Sequence, residues 1–441
     1  MKFQTTTAAI LASASIFAVP EVSNVIFSQD TASRRVTISY TVSAPAIVTL
    51  DILTNAVDEA SGASIGVENM RYLSGDVNRQ VAAGDRAITW EADKAWPGPD
   101  GKGFKIADNS VRAKVTAWPL DNPPDVMVVD LIRAGGSQTY DVTYYTSLAN
   151  LPGGLLANTE YRTSKLVMKR VRAPECGTYV MGNLKETGHR TEEYQHTVIL
   201  TNDYYLGVFE VTQGQYKNIM GAYPSSHFTT QRDMRPVENV TANGWRGQQY
   251  PNQPLANYPI SLIASRSGYA FDFPTETQFE YACRAGNYEG FWPDGYAIDM
   301  AAVNTAYTEE TNLTRQARYY VNAYLPDSNG TVNVSPIAST PPASGGTAEV
   351  GSYVPNAWGF YDMLGNVYEL CLDFYKQVTY QDDGSVVEPS AADDSSKIAI
   401  RGGCWWDQWY NCRSSRRANQ AISTGIKTVG CRLACPLAPN N

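Results

Sequence analysis

Histidine is scarce in this 441-residue chain, which contains only His189, His196 and His227. So few imidazoles leave little material for a metal site built from several histidines. A Gly-rich strand–helix fingerprint and a Gly-Lys-Ser/Thr loop are both missing, so nothing in the sequence supports nucleotide binding. Lysine and arginine (35) are outnumbered by aspartate and glutamate (44), and the net charge of −9 argues against nucleic acid or an anionic membrane surface as a partner.

Long hydrophobic runs are missing as well, which argues against an integral membrane span. The longest candidate, residues 8–19, is shorter than the roughly 20 residues that a transmembrane helix needs. It follows Lys2 and has the length of a signal-peptide core, so we expect residues 1–20 to be a signal peptide. A buried N-terminal strand is the alternative. The expected location is therefore secreted, periplasmic or at the cell surface.

Cysteine is absent from the first 175 residues, and the seven that follow are an odd number. In an exported protein some of them should form disulfides, and at least one should stay free or pair with another chain. Hydrophobic residues make up 43% of the chain, as expected for a folded protein.

Residues 21–130 alternate apolar and polar side chains in short runs, such as 35–42 and 47–52, that are rich in β-branched residues. This pattern predicts an all-β sandwich of the immunoglobulin or fibronectin type, acting as a spacer or adhesion module. Residues 131–165 are predicted to be a linker that partly continues the sheet. Residues 166–438 have short, aromatic-rich motifs, and two capping boxes, at Thr212 and Thr275, predict helix starts.

Six ordered motifs in this C-terminal region resemble the formylglycine-generating enzyme family, also called sulfatase-modifying factors. They occupy residues 181–183, 204–212, 273–282, 356–369, 401–403 and 430–434. The resemblance implies an irregular, loop-rich α+β fold related to the C-type lectin fold. The chain is thus expected to be multidomain, with this fold after the β-sandwich.

The resemblance also implies an activity, the O2-dependent oxidation of a sulfatase cysteine to formylglycine at a copper ion held by two cysteines. Aligned from Arg401 without a gap, the two copper positions hold Asp407 and Cys412, and the family's active-site serine is Cys404. A carboxylate cannot replace a thiolate for Cu(I), so the oxidase site is incomplete unless Cys404 and Cys412 act as the catalytic pair. In a gapped alignment Cys412 is instead a structural cysteine bonded to Cys283.

A structural calcium site is the second feature that the resemblance implies. Its positions correspond to Asp362, Gly365, Val367 and Glu369. Two carboxylates and two backbone carbonyls would supply the hard oxygen ligands that Ca²⁺ prefers. The alternative is an ordinary turn with two solvated acids.

Four aromatic residues are crowded beside Asp407: Trp405, Trp406, Trp409 and Tyr410. Rigid aromatics with polar neighbours are typical of binding hot spots, so this segment is predicted to bind a protein or peptide ligand, possibly a sulfatase-like substrate. At least one of the tryptophans is expected in the core instead. Three hypotheses stay open: an exported, calcium-stabilised binding module, a copper-dependent oxidase, and a structural or adhesive cell-surface protein.

Overall fold

The computed structural model describes residues 19–54, 62–95, 111–183, 193–224, 226, 232–286, 311–323, 346–375 and 396–437. The chain divides into two compact units, Met1–Pro123 and Pro124–Asn441. Nearly all of the predicted signal peptide lies outside the described residues. Among the helices that the structure describes, none is both long and apolar enough to cross a membrane.

The first unit is rich in strands. One sheet has the order β1-β2-β7-β5, and in the other β3 pairs with β4, β6 and β8. The elements are β1 (Val22–Gln29), β2 (Val36–Val42), β3 (Ala46–Thr54), β4 (Ala63–Ser64), β5 (Leu73–Gly75), β6 (Arg79–Val81), β7 (Gly84–Trp90), α1 (Ala92–Ala95) and β8 (Val111–Trp118).

The alternating pattern of the sequence explains this unit. Along β2, every second side chain from Val36 to Val42 is buried, because successive residues of a strand point to opposite faces. Val48 of β3 and Ile88 of β7 belong to the same hydrophobic core, so the two sheets share it. The prediction of a strand-rich N-terminal region is confirmed.

The second unit begins earlier than the predicted boundary. Strands β9 (Val126–Asp130) and β10 (Asp141–Tyr145) join β11 (Lys165–Val171) in a five-stranded sheet of order β10-β9-β11-β14-β19. Val128 pairs with Val167 and is buried in the core of this unit. The predicted boundaries are therefore corrected. Residues 124–130, assigned to the sandwich, and residues 131–165, assigned to a linker, both belong to the second unit, because hydrophobic strands join them to its sheet.

The remaining elements of the second unit are short and separated by loops, as the resemblance implied. Strands β12 and β13 pair with each other, and β17-β16-β15-β18 form a further sheet. The elements are α2 (Glu160–Thr163), β12 (Thr178–Met181), β13 (His196–Ile199), β14 (Tyr204–Gly207), α3 (Gln213–Met220), α4 (Ala242–Arg246), α5 (Pro259–Ser267), α6 (Glu276–Arg284), α7 (Thr311–Gln316), β15 (Tyr368–Phe374), β16 (Lys397–Arg401), β17 (Arg417–Ala421), β18 (Val429–Gly430) and β19 (Ala434–Pro436).

Both predicted capping boxes start helices. The Thr212 hydroxyl accepts the Gln215 N–H at the start of α3, and the Gln215 side chain accepts the Thr212 N–H in return. Thr275 and Gln278 make the same reciprocal pair at the start of α6. Helix α6 packs beside β15 and β16, and so carries its acidic side chains into the centre of the unit.

Candidate functional site

The candidate site lies in the loop that follows β16. Gly402 and Gly403 turn the chain with φ values of 93° and 80°, a left-handed conformation that favours glycine. A Cβ atom on Gly403 would lie 2.8 Å from the Cys412 sulfur. The loop can therefore close on itself only because residue 403 has no side chain.

Buried ion pairs hold the two ends of this loop. The Arg401 guanidinium pairs with Glu280 of α6 and donates to the Arg416 carbonyl at 2.8 Å. Arg413 pairs with Glu193 at 2.8 Å, and both side chains are fully buried. Burial by itself would raise the pKa of Glu280, but the Arg284 and Arg401 charges outweigh it and hold that pKa below its usual value. Because each charge is paired, the loop is rigidly placed.

Cys404 and Asp407 form a direct pair inside the loop. The Cys404 thiol lies 3.2 Å from Asp407 Oδ2, and the Cys404 N–H donates to the same oxygen at 3.1 Å. Burial raises the pKa of Asp407, although the Tyr368 hydroxyl and the Cys404 thiol both lower it by hydrogen bonding. The residue that the ungapped alignment assigns to the first copper position thus accepts hydrogen bonds from the neighbouring cysteine.

Cys412, which the ungapped alignment assigns to the second copper position, is also buried, and its sulfur lies 4.0 Å from the Cys404 carbonyl oxygen. Burial, reinforced by the Asp407 charge, raises the pKa of both thiols well above the ordinary value. Cu(I) is bound by thiolates, and a hard carboxylate does not replace one. The structure therefore brings the two candidate catalytic cysteines into one loop, where burial favours their thiol forms and a carboxylate stands beside them.

The disulfide between Cys283 and Cys412 that the gapped alignment implies is not formed in the structure, in which all seven cysteines are free. The Cys283 thiol is directed to the Met363 carbonyl, 3.7 Å away, whereas Cys412 is directed to the carbonyl of Cys404. Both cysteines are buried in the core, but their side chains point to different carbonyl groups. The alignment gave no information on these directions.

The aromatic cluster divides into buried and half-buried members. Trp405 and Trp409 are core residues, 2% and 4% exposed, as expected for at least one of the tryptophans. Trp406 and Tyr410 are half-buried. The Trp405 and Trp406 rings stack with centroids 5.6 Å apart. Only Trp406 and Tyr410, called the aromatic surface below, present rings that a ligand could reach.

The four predicted calcium positions occupy one tight segment. Asp362 Oδ2 accepts the Gly351 N–H at 2.7 Å, while Asp362 Oδ1 is buried without a hydrogen-bond partner. Both oxygens of Glu369 accept from the Arg432 guanidinium, at 2.8 and 2.9 Å. Glu369 is therefore already paired, and the unpartnered Asp362 oxygen is the side-chain ligand available to a cation.

The charges around Asp362 favour a cation. Three buried carboxyl groups, Glu210, Asp362 and Glu369, lie near the Arg432 guanidinium. Burial, with Asp362 and Glu369 nearby, raises the pKa of Glu210 well above its usual value, and burial raises that of Asp362 to about 6. The described ranges hold no group of three or more His, Cys, Asp or Glu at metal-binding spacing. Of the two predicted carboxylate ligands, the structure therefore leaves only Asp362 Oδ1 without a hydrogen-bond partner.

Sequence reasoning missed the ion pairs that build this region. Glu193 and Arg413 are 220 positions apart in the chain, and Glu369 and Arg432 are 63 apart. Buried charges of this kind need a partner, but no local pattern identifies it. The motif at 430–434 contained Arg432 and was the one signal that could have found its role.

Comparisons with known proteins agree with this architecture. A family model described as a sulfatase-modifying factor enzyme 1-like domain matches residues 163–437. A protein named serine/threonine-protein kinase pkn1 from Chlamydia pneumoniae is 26% identical over 267 residues, which cover 59% of this chain and 37% of that protein. The formylglycine-generating enzyme of Mus musculus is 23% identical over 215 residues, covering 45% of this chain and 51% of the enzyme. The chain thus spans between a third and about half of the length of these relatives.

Among solved structures, PvdO from Pseudomonas aeruginosa superposes with a TM-score of 0.45 at 23% identity, covering 62% of this chain and 94% of PvdO. Treponema denticola variable protein 1 has a TM-score of 0.44 at 24% identity, covering 62% of this chain and 95% of that protein. The family match itself covers more than half of the 441 residues. The chain therefore belongs to the sulfatase-modifying factor enzyme 1-like family.

Proposed function

We propose that this protein is an exported binding module of the formylglycine-generating enzyme family that is stabilised by calcium and lacks the oxidase activity. In this proposal the first unit is an immunoglobulin- or fibronectin-like spacer, and the second unit binds a protein or peptide through its aromatic surface. The observation that carries the proposal is the Asp407 carboxylate, which stands where the family has a copper ligand and accepts from the Cys404 thiol at 3.2 Å.

The oxidase alternative is tested with a peptide that contains a sulfatase-type Cys-x-Pro-x-Arg motif. Formylglycine formation would lower the peptide mass by about 18 Da, because the CH2SH group of the peptide cysteine becomes an aldehyde. We expect no such loss with the purified protein under O2 and Cu(I). Conversion of the peptide would contradict the proposal and favour the copper oxidase.

A gain-of-function variant sharpens the test. Asp407→Cys adds a third thiol to the loop that already contains Cys404 and Cys412, and this variant should bind Cu(I) in competition with a chromogenic chelator, whereas the parent protein should not. Asp407→Ser removes the carboxylate without adding a thiolate and is the matched control. Equal Cu(I) binding by all three proteins would mean that Asp407 is not what excludes the metal.

Calcium is tested through stability. We expect the thermal unfolding temperature of the second unit to rise with added Ca²⁺ and to fall with a chelator, because a ligand that binds only the folded state stabilises it. Asp362→Ala should abolish the response. Exposed Asp141→Ala is the matched control. An unchanged unfolding temperature in both conditions would support the alternative of an ordinary turn.

Variants of the aromatic surface distinguish a binding role from a purely structural or adhesive role. Trp406→Ala and Tyr410→Ala remove half-buried rings, so they should weaken a selected ligand without unfolding the domain. Trp409→Ala should instead destabilise the core, where that ring is 4% exposed. Ligands that bind the Trp406 and Tyr410 variants unchanged would place recognition elsewhere.

Export is tested by determining the N-terminal residue of the protein recovered outside the cytoplasm.

A further inference from the structure

A lysine lies against the aromatic pair in the candidate loop. The Lys427 ammonium is 4.4 Å from the centroid of the Trp406 ring and 5.5 Å from that of Trp405. Such cation–π contacts stabilise a cation at the ring face but do not neutralise its charge. Across the described ranges, no carboxylate lies within ion-pair distance of this ammonium.

The backbone around Lys427 is firmly held, so this charge has a defined position. The Lys427 carbonyl accepts the Trp405 indole N–H at 3.1 Å. On either side, the Ile426 carbonyl accepts from the Asn239 N–H at 3.0 Å, and the Thr428 carbonyl accepts from the Tyr368 N–H at 2.8 Å. Three consecutive carbonyls are thus fixed by three different segments. Because the backbone of Lys427 is held and its ammonium lies over the Trp406 ring, less conformational entropy is lost when a ligand binds.

Asp407, the charged residue next to Trp406 in the sequence, makes its hydrogen bonds within the loop. Asp407 is bonded by the Cys404 thiol and N–H. The Tyr410 hydroxyl donates to the Gln408 side-chain oxygen, so these two polar groups satisfy each other. The Lys427 ammonium is therefore the polar group beside the aromatic surface that still lacks an opposite charge.

We infer that Lys427 recognises a carboxylate of an acidic peptide ligand whose remaining contacts are made by Trp406 and Tyr410. This inference rests on the proposed binding function. An ammonium with three donors forms strong charge-assisted hydrogen bonds with a carboxylate.

The inference is tested by selecting random heptapeptides displayed on phage against the full-length protein, followed by titration of the synthetic peptides by calorimetry. The selected peptides should contain Asp or Glu and should bind more weakly at high salt, which screens exposed charges. Lys427→Met keeps the aliphatic stem over the rings and should weaken binding about tenfold. Lys427→Arg should retain most of the affinity. Lys397→Met, at an exposed lysine on β16, is the matched control and should bind like the parent protein.

Other outcomes would overturn the inference. If the selected peptides lack acidic residues, or bind Lys427→Met as tightly as the parent, the carboxylate role is wrong while the aromatic surface stands. If their binding survives both Trp406→Ala and Tyr410→Ala, or if no peptide is selected, the proposed binding function fails and the role of Lys427 fails with it. Binding of acidic glycans without any peptide would likewise overturn the assignment to a peptide.

Discussion

Asp373 makes the stability of the second unit depend on pH in an unusual direction. Its Oδ2 atom accepts the N–H of Glu276, at the start of α6, at 2.7 Å. Burial, reinforced by the Glu276 charge, raises the pKa of Asp373 from 3.8 to about 7. The native carboxyl group is therefore protonated at mildly acidic pH, where the unfolded chain has already lost that proton.

The sign of the effect follows from proton linkage. Between pH 4 and 7 the folded state holds one more proton than the unfolded state, so the free energy of unfolding falls as the pH rises. Each pKa unit corresponds to 1.36 kcal/mol, and a shift from 3.8 to about 7 corresponds to about 4 kcal/mol. The contribution is fully present below pH 4 and is lost as the pH passes the folded pKa. Asp373→Asn keeps an acceptor for the Glu276 N–H and removes the titration.

The assay is urea unfolding of the parent and of Asp373→Asn between pH 4 and 8.5, followed by tryptophan fluorescence. The variant should gain stability relative to the parent as the pH rises, by about 4 kcal/mol across this range. Asp141→Asn, at an exposed aspartate of β10, is the control and should follow the parent. If the difference between Asp373→Asn and the parent changes by less than about 1 kcal/mol over this range, Asp373 is not the titrating group and the reasoning fails.

Three further changes test the packing around the site by the same unfolding measurement. Gly403→Ala should lower the free energy of unfolding by about 1–3 kcal/mol more than Gly268→Ala. Both glycines have a similar positive φ, but only a Cβ atom at residue 403 would lie within 4 Å of another atom. Equal losses of stability would contradict this. Thr275→Ala removes the cap of α6 and should cost about 1 kcal/mol, and no loss would mean that the cap is dispensable. Arg432→Met leaves the Glu369 carboxylate buried without its partner and should lower the free energy of unfolding by about 3–5 kcal/mol. This loss of stability should be smaller when Glu369→Gln is added to the same protein. An additive double variant would refute that pairing.

Local signals were sufficient for parts of the fold. The capping boxes at Thr212 and Thr275 depend only on residues three positions apart, and both helices begin there. Strand β2 was anticipated from the β-branched alternation of residues 35–42, since such a strand is amphipathic whatever it pairs with.

Long-range pairing was not accessible in the same way. Strand β9 resembles the strands that precede it, and only its partners β11 and β10 show that it belongs to the second unit. The loop after β16 was located by its motif, but the direction of the Cys412 side chain and the pairing of Arg413 with Glu193 depend on segments far away in the sequence. Side-chain orientation in a loop has no period from which it can be predicted.

The five-stranded sheet also determines where the family domain can be cut. A fragment beginning at residue 163, where the family match starts, would lose β9 and β10 and leave β11 as an unprotected edge. Unpaired N–H and C=O groups along such an edge pair readily with other chains. That fragment should form insoluble aggregates during expression, whereas one beginning at Pro124 keeps β9 paired with β11 and should remain dispersed.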